Sequence, residues 1–215
     1  SLREADKPKI PHQSSATGMQ AIPTTGIAQG LKFLAQTNNT LLKKGPGGEM
    51  PVVICSLGDA SVTEGEVSEA FQFAALHQLP IIYLVQDNDW GISVTGSEAR
   101  TTTAFEFIEG FKGIERVTVD GSNFEESFNV MQQTIAAVRK NRKPWLVHAK
   151  VPLLGHHTSG VRKETYRSNE DLQKHFSNDP VEKLKNQLLQ SGINAEELEK
   201  IEEGTKLSVQ EAFEK

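Results

Sequence analysis

Two short polar motifs each follow an apolar run, and their oxygen-bearing side chains could share one small cation. Gly58, Asp59 and Ala60 come directly after the run PVVICSL, and Asp87 and Asn88 come directly after PIIYLVQ. Asn88 lies 29 residues after Asp59, which is about the length of one strand–helix–strand unit with parallel strands. Neighbouring parallel strands end at the same edge of a sheet, about 4.8 Å apart. The spacing therefore predicts a site for Mg²⁺, which prefers oxygen ligands and leaves other positions to phosphate and water.

The segments around these motifs predict alternating strands and helices. The first two strands are apolar at nearly every position, which is typical of strands buried on both faces. Several helices carry apolar residues at helical spacing along one side. The predicted strands are 51–57, 81–86, 116–119 and 145–151, and the predicted helices are 23–36, 64–77, part of 98–113, and 124–140. This alternation predicts an α/β fold in which a parallel sheet has helices on both faces.

The last third of the chain has a different character. Residues 155–168 show no apolar periodicity and are predicted to form a loop, and two charged helices are expected at 181–190 and 195–215. We therefore expect three parts: an α/β domain over 1–151, an active-site loop over 152–168, and a C-terminal helical extension of the same domain over 169–215. The loop lacks apolar side chains to offset its ordering entropy, so it is expected to be mobile until a ligand or partner orders it.

Three longer blocks, in the same order along the chain, resemble one known family. LGDASVTEGEVSEAFQFAALHQLPIIYLVQDNDWGIS is similar to the thiamine diphosphate and magnesium motif of 2-oxo acid dehydrogenase alpha subunits, in which GDG precedes NN by about thirty residues. SSATGMQAIPTTGIAQGLKFLA resembles the helix that lies near the cofactor, and GHHTSGVRKETYRS resembles the active-site loop of the branched-chain members. With the segments between them, these blocks cover most of the chain.

The resemblance implies roles for the matching residues. Asp59, the Asn88 side chain and the backbone carbonyl of Trp90 would bind magnesium. The backbone amides of Ala60 and Ser61 would contact the diphosphate near a helix N-terminus, where amide groups bind anions readily.

The chain departs from the family motif at three positions and matches it in the loop. Gln86 stands where branched-chain relatives often have an arginine against the phosphate, which implies a weaker or rearranged cofactor contact. Ala60 replaces the motif glycine and Asp87 replaces its first asparagine, although neither replaced side chain is a metal ligand in the family. The resemblance makes His157 a cofactor-binding and catalytic residue with a role in acyl transfer. His148 lies inside a predicted strand, and we expect it to be a structural residue.

The resemblance implies that the chain binds thiamine diphosphate and Mg²⁺. It would take part in the oxidative decarboxylation of a 2-oxo acid, with transfer of the acyl group to a lipoyl group. The implied substrate is a branched-chain 2-oxo acid rather than a straight-chain one. Its partners would be a beta subunit or domain carrying the pyrimidine-binding site and a lipoyl-bearing acyltransferase, within an oligomer. Only one sheet domain is predicted here, so the chain would be inactive without the pyrimidine-binding partner.

Other interpretations remain open from the sequence. Taken alone, Asp59 and Asn88 are also common turn residues at strand ends, and His156 and His157 could be solvated loop side chains. The metal motif is shared with transketolase-like thiamine enzymes, of which this chain could be one half. A truncated, non-catalytic assembly module is a further alternative. A ketol-transfer assay would identify the transketolase-like enzyme, and a cofactor titration would identify the assembly module.

Composition restricts the partners and the compartment. A net charge of −5 argues against nucleic acid or an anionic membrane as the main partner. No apolar stretch approaches the length of a membrane span, and the polar opening of the chain does not resemble a signal peptide. The single cysteine, Cys55, excludes a disulfide within the chain and suits a reducing compartment. We expect the cytoplasm, or the mitochondrial matrix in a eukaryote.

Overall fold

The computed structural model describes residues 8–12 and 14–214. Most of the opening segment, which showed no resemblance to a signal peptide, lies outside this part. The strands are β1 (Val53–Gly58), β2 (Ile81–Asp87), β3 (Trp90–Gly91), β4 (Val94–Thr95), β5 (Glu115–Asp120) and β6 (Trp145–Lys150). The α-helices are α1 (Ala21–Gln36), α2 (Gly65–His77), α3 (Gly96–Ala99), α4 (Ala104–Phe107), α5 (Phe124–Asn141), α6 (Asn169–Phe176), α7 (Pro180–Gln190) and α8 (Ala195–Phe213).

Four of the strands form one parallel sheet in the order β1-β2-β6-β5. β1 and β2 are neighbours with Gly58 opposite Gln86, so the two polar motifs follow their strands at the same edge, as the sequence predicted. The very short strands β3 and β4 form a separate antiparallel pair, which follows β2 directly. β3 packs beside residues 59–61, which directly follow β1.

Hydrophobic cores cover the two faces of the sheet, which confirms the predicted α/β architecture. Alternate residues of β2 divide between them: Ile81, Tyr83 and Val85 pack with α1 and α2, whereas Ile82 and Leu84 pack on the side of α5. Apolar runs such as IIYLV are required in a strand that is buried on both faces. In the described part of the chain, no helix is long and apolar enough to cross a membrane.

A buried tyrosine joins three elements of the larger core. Tyr83 in β2 shares a hydrogen bond of 2.6 Å with the hydroxyl of Thr25 in α1 and donates another of 3.1 Å to the carbonyl of Ala70 in α2. Its ring meets Phe71 edge-on at 4.7 Å. A buried hydroxyl without partners would be costly, so these bonds fix α1 and α2 against the sheet below the site.

Two sequence predictions need correction. β1 is an edge strand whose residues alternate between buried and exposed, with Ile54 45% exposed, so it is not buried on both faces. An apolar run indicates that a strand favours burial, but it does not show whether the strand lies at the centre or at the edge of its sheet. The helix α6 was not predicted, because its eight residues include three charged side chains and His175 and few apolar ones.

Cys55 provides a test of the packing beneath the site. The thiol is 1% exposed, and burial raises its pKa to about 11. Because the thiolate is the reactive form, we expect iodoacetamide at pH 8 to label the native chain at least about 100-fold more slowly than the urea-unfolded chain. Mass spectrometry of timed samples measures both rates. Equal rates would show that β1 is open in solution.

Candidate active site at the carboxyl edge of the sheet

Asp59 begins the chain beyond β1 and is almost completely buried. It is 2% exposed and opens a short 3₁₀ turn over Asp59–Ser61. The backbone N–H of Asn88, just after β2, is close enough to the Asp59 carboxylate to lower its pKa. The structure therefore brings the two motif residues into contact, as their spacing predicted.

A guanidinium group occupies the space beside this carboxylate. Arg100 Nη2 lies 2.7 Å from Asp59 Oδ2 and 4.0 Å from Asp87 Oδ1, and its side chain is 8% exposed. The contact is ionic without hydrogen-bond geometry, and Oδ2 accepts no hydrogen bond from any described residue. Burial raises the pKa of Asp59 and the charge of Asp87 raises it further, against the opposing effects of Arg100 and the Asn88 amide. The site therefore has more negative charge than Arg100 alone balances.

Asp87 is held by a histidine that the sequence did not single out for function. His148 in β6 is 1% exposed, and its Nε2 lies 2.6 Å from Asp87 Oδ2. Burial alone would raise the pKa of Asp87, but the hydrogen bonds from His148 and the Asp89 amide and the nearby charges lower it overall. His148 is thus a buried strand residue, as expected, and it also fixes the carboxylate next to Asn88.

Asn88 and Trp90 form a tight turn after β2. The side-chain oxygen of Asn88 accepts a hydrogen bond of 2.9 Å from the Trp90 N–H, a geometry that asparagine favours after strands. An amide oxygen has a second lone pair, so Asn88 Oδ1 can still bind a metal. The Trp90 ring lies 5.6 Å from that of Tyr166 and 5.4 Å from the Arg167 guanidinium.

Ala60 and Ser61 lie in the 3₁₀ turn, and α2 begins only at Gly65. The resemblance implied that these amides lie near a helix N-terminus, and in the structure they precede the first residue of α2 by four or five positions. The methyl group of Ala60 fits because of Gly91 in β3, where an added Cβ would come within 3.0 Å of the Ala60 Cβ. A small residue in the neighbouring turn thus accommodates the replacement of the motif glycine.

Gln86 is exposed at the end of β2 and turned toward β1. Its Oε1 accepts a hydrogen bond of 2.8 Å from the hydroxyl of Ser56. It offers no positive charge to an anion. A cation for the diphosphate must therefore come from another residue.

The loop that follows β6 is anchored more firmly than the sequence suggested. Lys163 and Arg167 are 6% and 5% exposed, and they donate hydrogen bonds to the carbonyls of Leu154 and Leu153. Arg167 also pairs with Asp171 of α6. The prediction that the loop is mobile until a ligand or partner orders it is therefore wrong for the half that contains Lys163 and Arg167. These buried cations anchor it in place of apolar side chains.

His157 lies in the other half of the loop. It is exposed, and within the described chain it makes no hydrogen bond or ion pair. Its neighbour His156 accepts a hydrogen bond of 3.3 Å from the Lys163 N–H. The structure thus leaves His157 free to meet a ligand but does not place it beside Asp59.

A cavity of about 420 Å³ adjoins the site on the side of β5 and β6. Its walls come from the ends of β2, β5 and β6 and from α6. Asp87, Asn88, Asp120, Lys150 and His175 are among the lining residues. Asp87 and Asn88 thus border both this cavity and the Asp59 carboxylate.

Oxygen atoms dominate the donors that could hold a cation here. Within the described residues, no group of three or more His, Cys, Asp or Glu side chains is placed to bind one metal, so zinc-type sites have no basis in this part of the chain. A buried carboxylate oxygen without a hydrogen bond, an amide oxygen and a carbonyl suit Mg²⁺ when phosphate and water complete its shell. The residues present therefore fit Mg²⁺ bound together with a phosphate ligand.

Comparisons with known proteins agree with this fold. The family model described as "Dehydrogenase E1 component" matches residues 3–215. A pyruvate dehydrogenase E1 component subunit alpha from Rickettsia bellii is 31% identical over 87% of this chain and 55% of its own. A 3-methyl-2-oxobutanoate dehydrogenase subunit alpha from Mycobacterium tuberculosis is 30% identical over 70% of this chain and 41% of its own.

Among solved structures, transketolase from Campylobacter jejuni superposes with a TM-score of 0.56 at 21% identity, over 78% of this chain and 26% of its own. That likeness shows a shared fold. This chain therefore shares the α/β fold of that structure. The chain belongs to the dehydrogenase E1 component family. It spans about half the length of the curated relatives it matches, or less.

Proposed function

We propose that this chain is the diphosphate- and Mg²⁺-binding part of a thiamine diphosphate-dependent 2-oxo acid dehydrogenase. The observation that carries the proposal is the buried Asp59 carboxylate, which touches the end of the neighbouring strand and keeps one oxygen free of hydrogen bonds. Membership of the dehydrogenase E1 component family supports it. A carboxylate in such a position is stabilised by a cation, and a cation there attracts a diphosphate.

In this proposal, Asp59, the Asn88 side chain and the Trp90 carbonyl hold Mg²⁺, and the amides of Ala60 and Ser61 face the diphosphate. Thiamine diphosphate, when bound, supplies the carbanion chemistry that decarboxylates a 2-oxo acid. The protein residues bind and orient it. His148 keeps Asp87 charged and in place, and the ring of Trp90 fixes the turn that contains the metal ligands.

His157 has a different proposed task. Its ring is exposed on a loop whose other half is anchored by Lys163 and Arg167. A loop fixed at one end can bring the imidazole to the diphosphate without rearranging the sheet. There a ring N–H would donate a hydrogen bond to a phosphate oxygen, and the same group could exchange a proton during acyl transfer.

The complete reaction requires partners. We propose a beta subunit or domain that carries the pyrimidine-binding site and a lipoyl-bearing acyltransferase that accepts the acyl group. The two alpha-subunit relatives support the first of these, since their names describe them as subunits. The same relatives act on different substrates, one named for pyruvate and the other for 3-methyl-2-oxobutanoate.

The substrate preference is testable on the assembled enzyme. The loop GHHTSGVRKETYRS favours branched 2-oxo acids, so we expect a higher kcat/KM for 3-methyl-2-oxobutanoate than for pyruvate. The two additional carbons of the branched substrate contribute about 10- to 200-fold each, which sets the upper limit of the preference. Ferricyanide reduction by the chain with its partner, thiamine diphosphate and Mg²⁺ measures both constants. A higher constant for pyruvate would contradict the branched-chain assignment. No reduction with any 2-oxo acid would contradict the function itself.

A further inference from the structure

We propose that Arg100 is the resident counter-ion of Asp59 in the metal-free protein, and that it moves to the diphosphate when a divalent cation takes its place. This inference rests on the proposed function of the same site. It assigns to Arg100 the phosphate contact that Gln86 cannot make.

Arg100 and a metal would compete for the same oxygen. Arg100 Nη2 lies 2.7 Å from Asp59 Oδ2, and Oδ2 is the carboxylate oxygen without a hydrogen bond from a described residue. A cation bound to Oδ2 would meet the guanidinium at close range, and like charges repel strongly in a buried site. One of the two cations must leave.

Ionic attraction holds the Arg100 side chain in place, without well-directed hydrogen bonds. Both of its close partners are carboxylates, with Asp87 Oδ1 at 4.0 Å. The guanidinium reaches them across Gly96, where an added Cβ would lie 2.5 Å from Nη2 and 2.2 Å from Asp89 Oδ1. The absence of a side chain at residue 96 therefore keeps the path of Arg100 open.

The guanidinium, once displaced from Asp59, would lie close to the bound diphosphate. A metal that bridges a carboxylate and a phosphate holds their oxygens about 3 to 4 Å apart. Arginine is well suited to phosphate because its planar group donates two parallel hydrogen bonds. Gln86 is neutral and bonded to Ser56, whereas Arg100 is a buried cation that already contacts the carboxylate proposed to hold the metal.

The consequence is a coupling between metal and diphosphate. Without an anion to receive it, Arg100 opposes the metal, and the metal binds weakly. With a diphosphate present, both cations have partners, so each ligand strengthens the other. Such coupling is reciprocal by thermodynamic necessity.

The test uses Mn²⁺ and inorganic pyrophosphate as probes, because neither requires the pyrimidine-binding partner. Electron paramagnetic resonance measures free Mn²⁺ with and without pyrophosphate, for the unaltered chain, for Arg100→Gln and for the control Arg116→Gln. Arg116 is a partly buried arginine of β5 that pairs with Glu109. We expect Arg100→Gln to bind Mn²⁺ alone about tenfold or more tightly, and to bind pyrophosphate at saturating Mn²⁺ about tenfold or more weakly. The control should match the unaltered chain.

A second variant retains the guanidinium of Arg100 but displaces it from the Asp59 carboxylate. Gly96→Ala should push the ends of Arg100 and Asp89 aside, which flexible side chains tolerate. We expect it to bind Mn²⁺ alone more tightly than the unaltered chain while it keeps most of the affinity for pyrophosphate. Circular dichroism confirms that each variant is folded.

Several results would overturn the inference. Unchanged Mn²⁺ affinity in Arg100→Gln would show that the arginine does not compete with the metal. Tighter Mn²⁺ binding with unchanged pyrophosphate affinity would leave Arg100 a counter-ion that never reaches the phosphate. Absence of any Mn²⁺-dependent pyrophosphate binding by the unaltered chain would instead contradict the proposed function, so the two failures are distinguishable.

Discussion

Replacing Asp59 by asparagine is expected to abolish Mg²⁺-dependent binding of thiamine diphosphate. Groups that only support metal ligands commonly contribute 10- to 100-fold to affinity, so the loss of a charged ligand should cost about 100-fold or more. Isothermal titration calorimetry with and without Mg²⁺, in the presence of the partner, measures the change. Unaltered Mg²⁺-dependent affinity in this variant would remove Asp59 from the site.

The fold should survive this substitution, although Asp59 is buried. Asparagine has nearly the same shape and keeps an oxygen for the Asn88 N–H, and Arg100 keeps Asp87 as a partner at 4.0 Å. Asp179→Asn is the matched control: it makes the same change at the start of α7, where Asp179 accepts a hydrogen bond from the Val181 N–H. The control should bind thiamine diphosphate as the unaltered chain does.

The second large effect concerns the partner. We expect the chain alone to show no decarboxylation of 3-methyl-2-oxobutanoate with an artificial electron acceptor. The described residues contain one parallel sheet domain, and the resemblance implies that the pyrimidine-binding site, with the proton-transfer group that activates the cofactor, lies in a separate partner. Removing such a proton-transfer group typically costs about 10² to 10⁴ in rate. Adding the pyrimidine-binding partner should therefore raise the rate at least about 100-fold.

Two controls make this experiment decisive. The partner alone should be as inactive as the chain alone, and Asp59→Asn with the partner should stay at the background rate. Turnover by the isolated chain at about 1 to 1,000 per second, the range of complete enzymes, would show that the missing half of the site is present in it.

The proximity of Asp59 and Asn88 was predictable from the sequence because it depends on local features of the chain. Two apolar runs separated by one amphipathic helix leave little choice but parallel neighbours, and the polar residues directly after them must then share an edge. The helices on both faces followed from the same alternation. The edge position of β1 did not, because it depends on which other strands pair with β2.

Arg100 escaped prediction for a different reason. It follows the short elements β3, β4 and α3, which have no periodicity to indicate a direction. Its path to Asp59 depends on a glycine at position 96 and on the turn at Asn88. Long-range geometry of this kind has no signature in composition or spacing.

Lys163 and Arg167 show a similar limit in the loop. Charged residues are usually exposed, so a segment rich in them is predicted to be solvated. Here Lys163 donates a hydrogen bond to the Leu154 carbonyl and lies over the Phe176 ring. Arg167 donates to the Leu153 carbonyl and lies over the Trp90 ring. Burial of a cation becomes acceptable when it is bonded in this way, but the acceptors are identifiable only in three dimensions.

The central claim is that Asp59 and Asn88 hold a metal against the cofactor diphosphate. The most direct measurement is the anomalous scattering of Mn²⁺ in crystals of the chain with its partner and thiamine diphosphate. We expect one peak within coordination distance of the Asp59 carboxylate, the Asn88 side-chain oxygen, the Trp90 carbonyl and the diphosphate. A bound cofactor with the Mn²⁺ peak elsewhere, or with Asp59 making no metal contact, would contradict this claim.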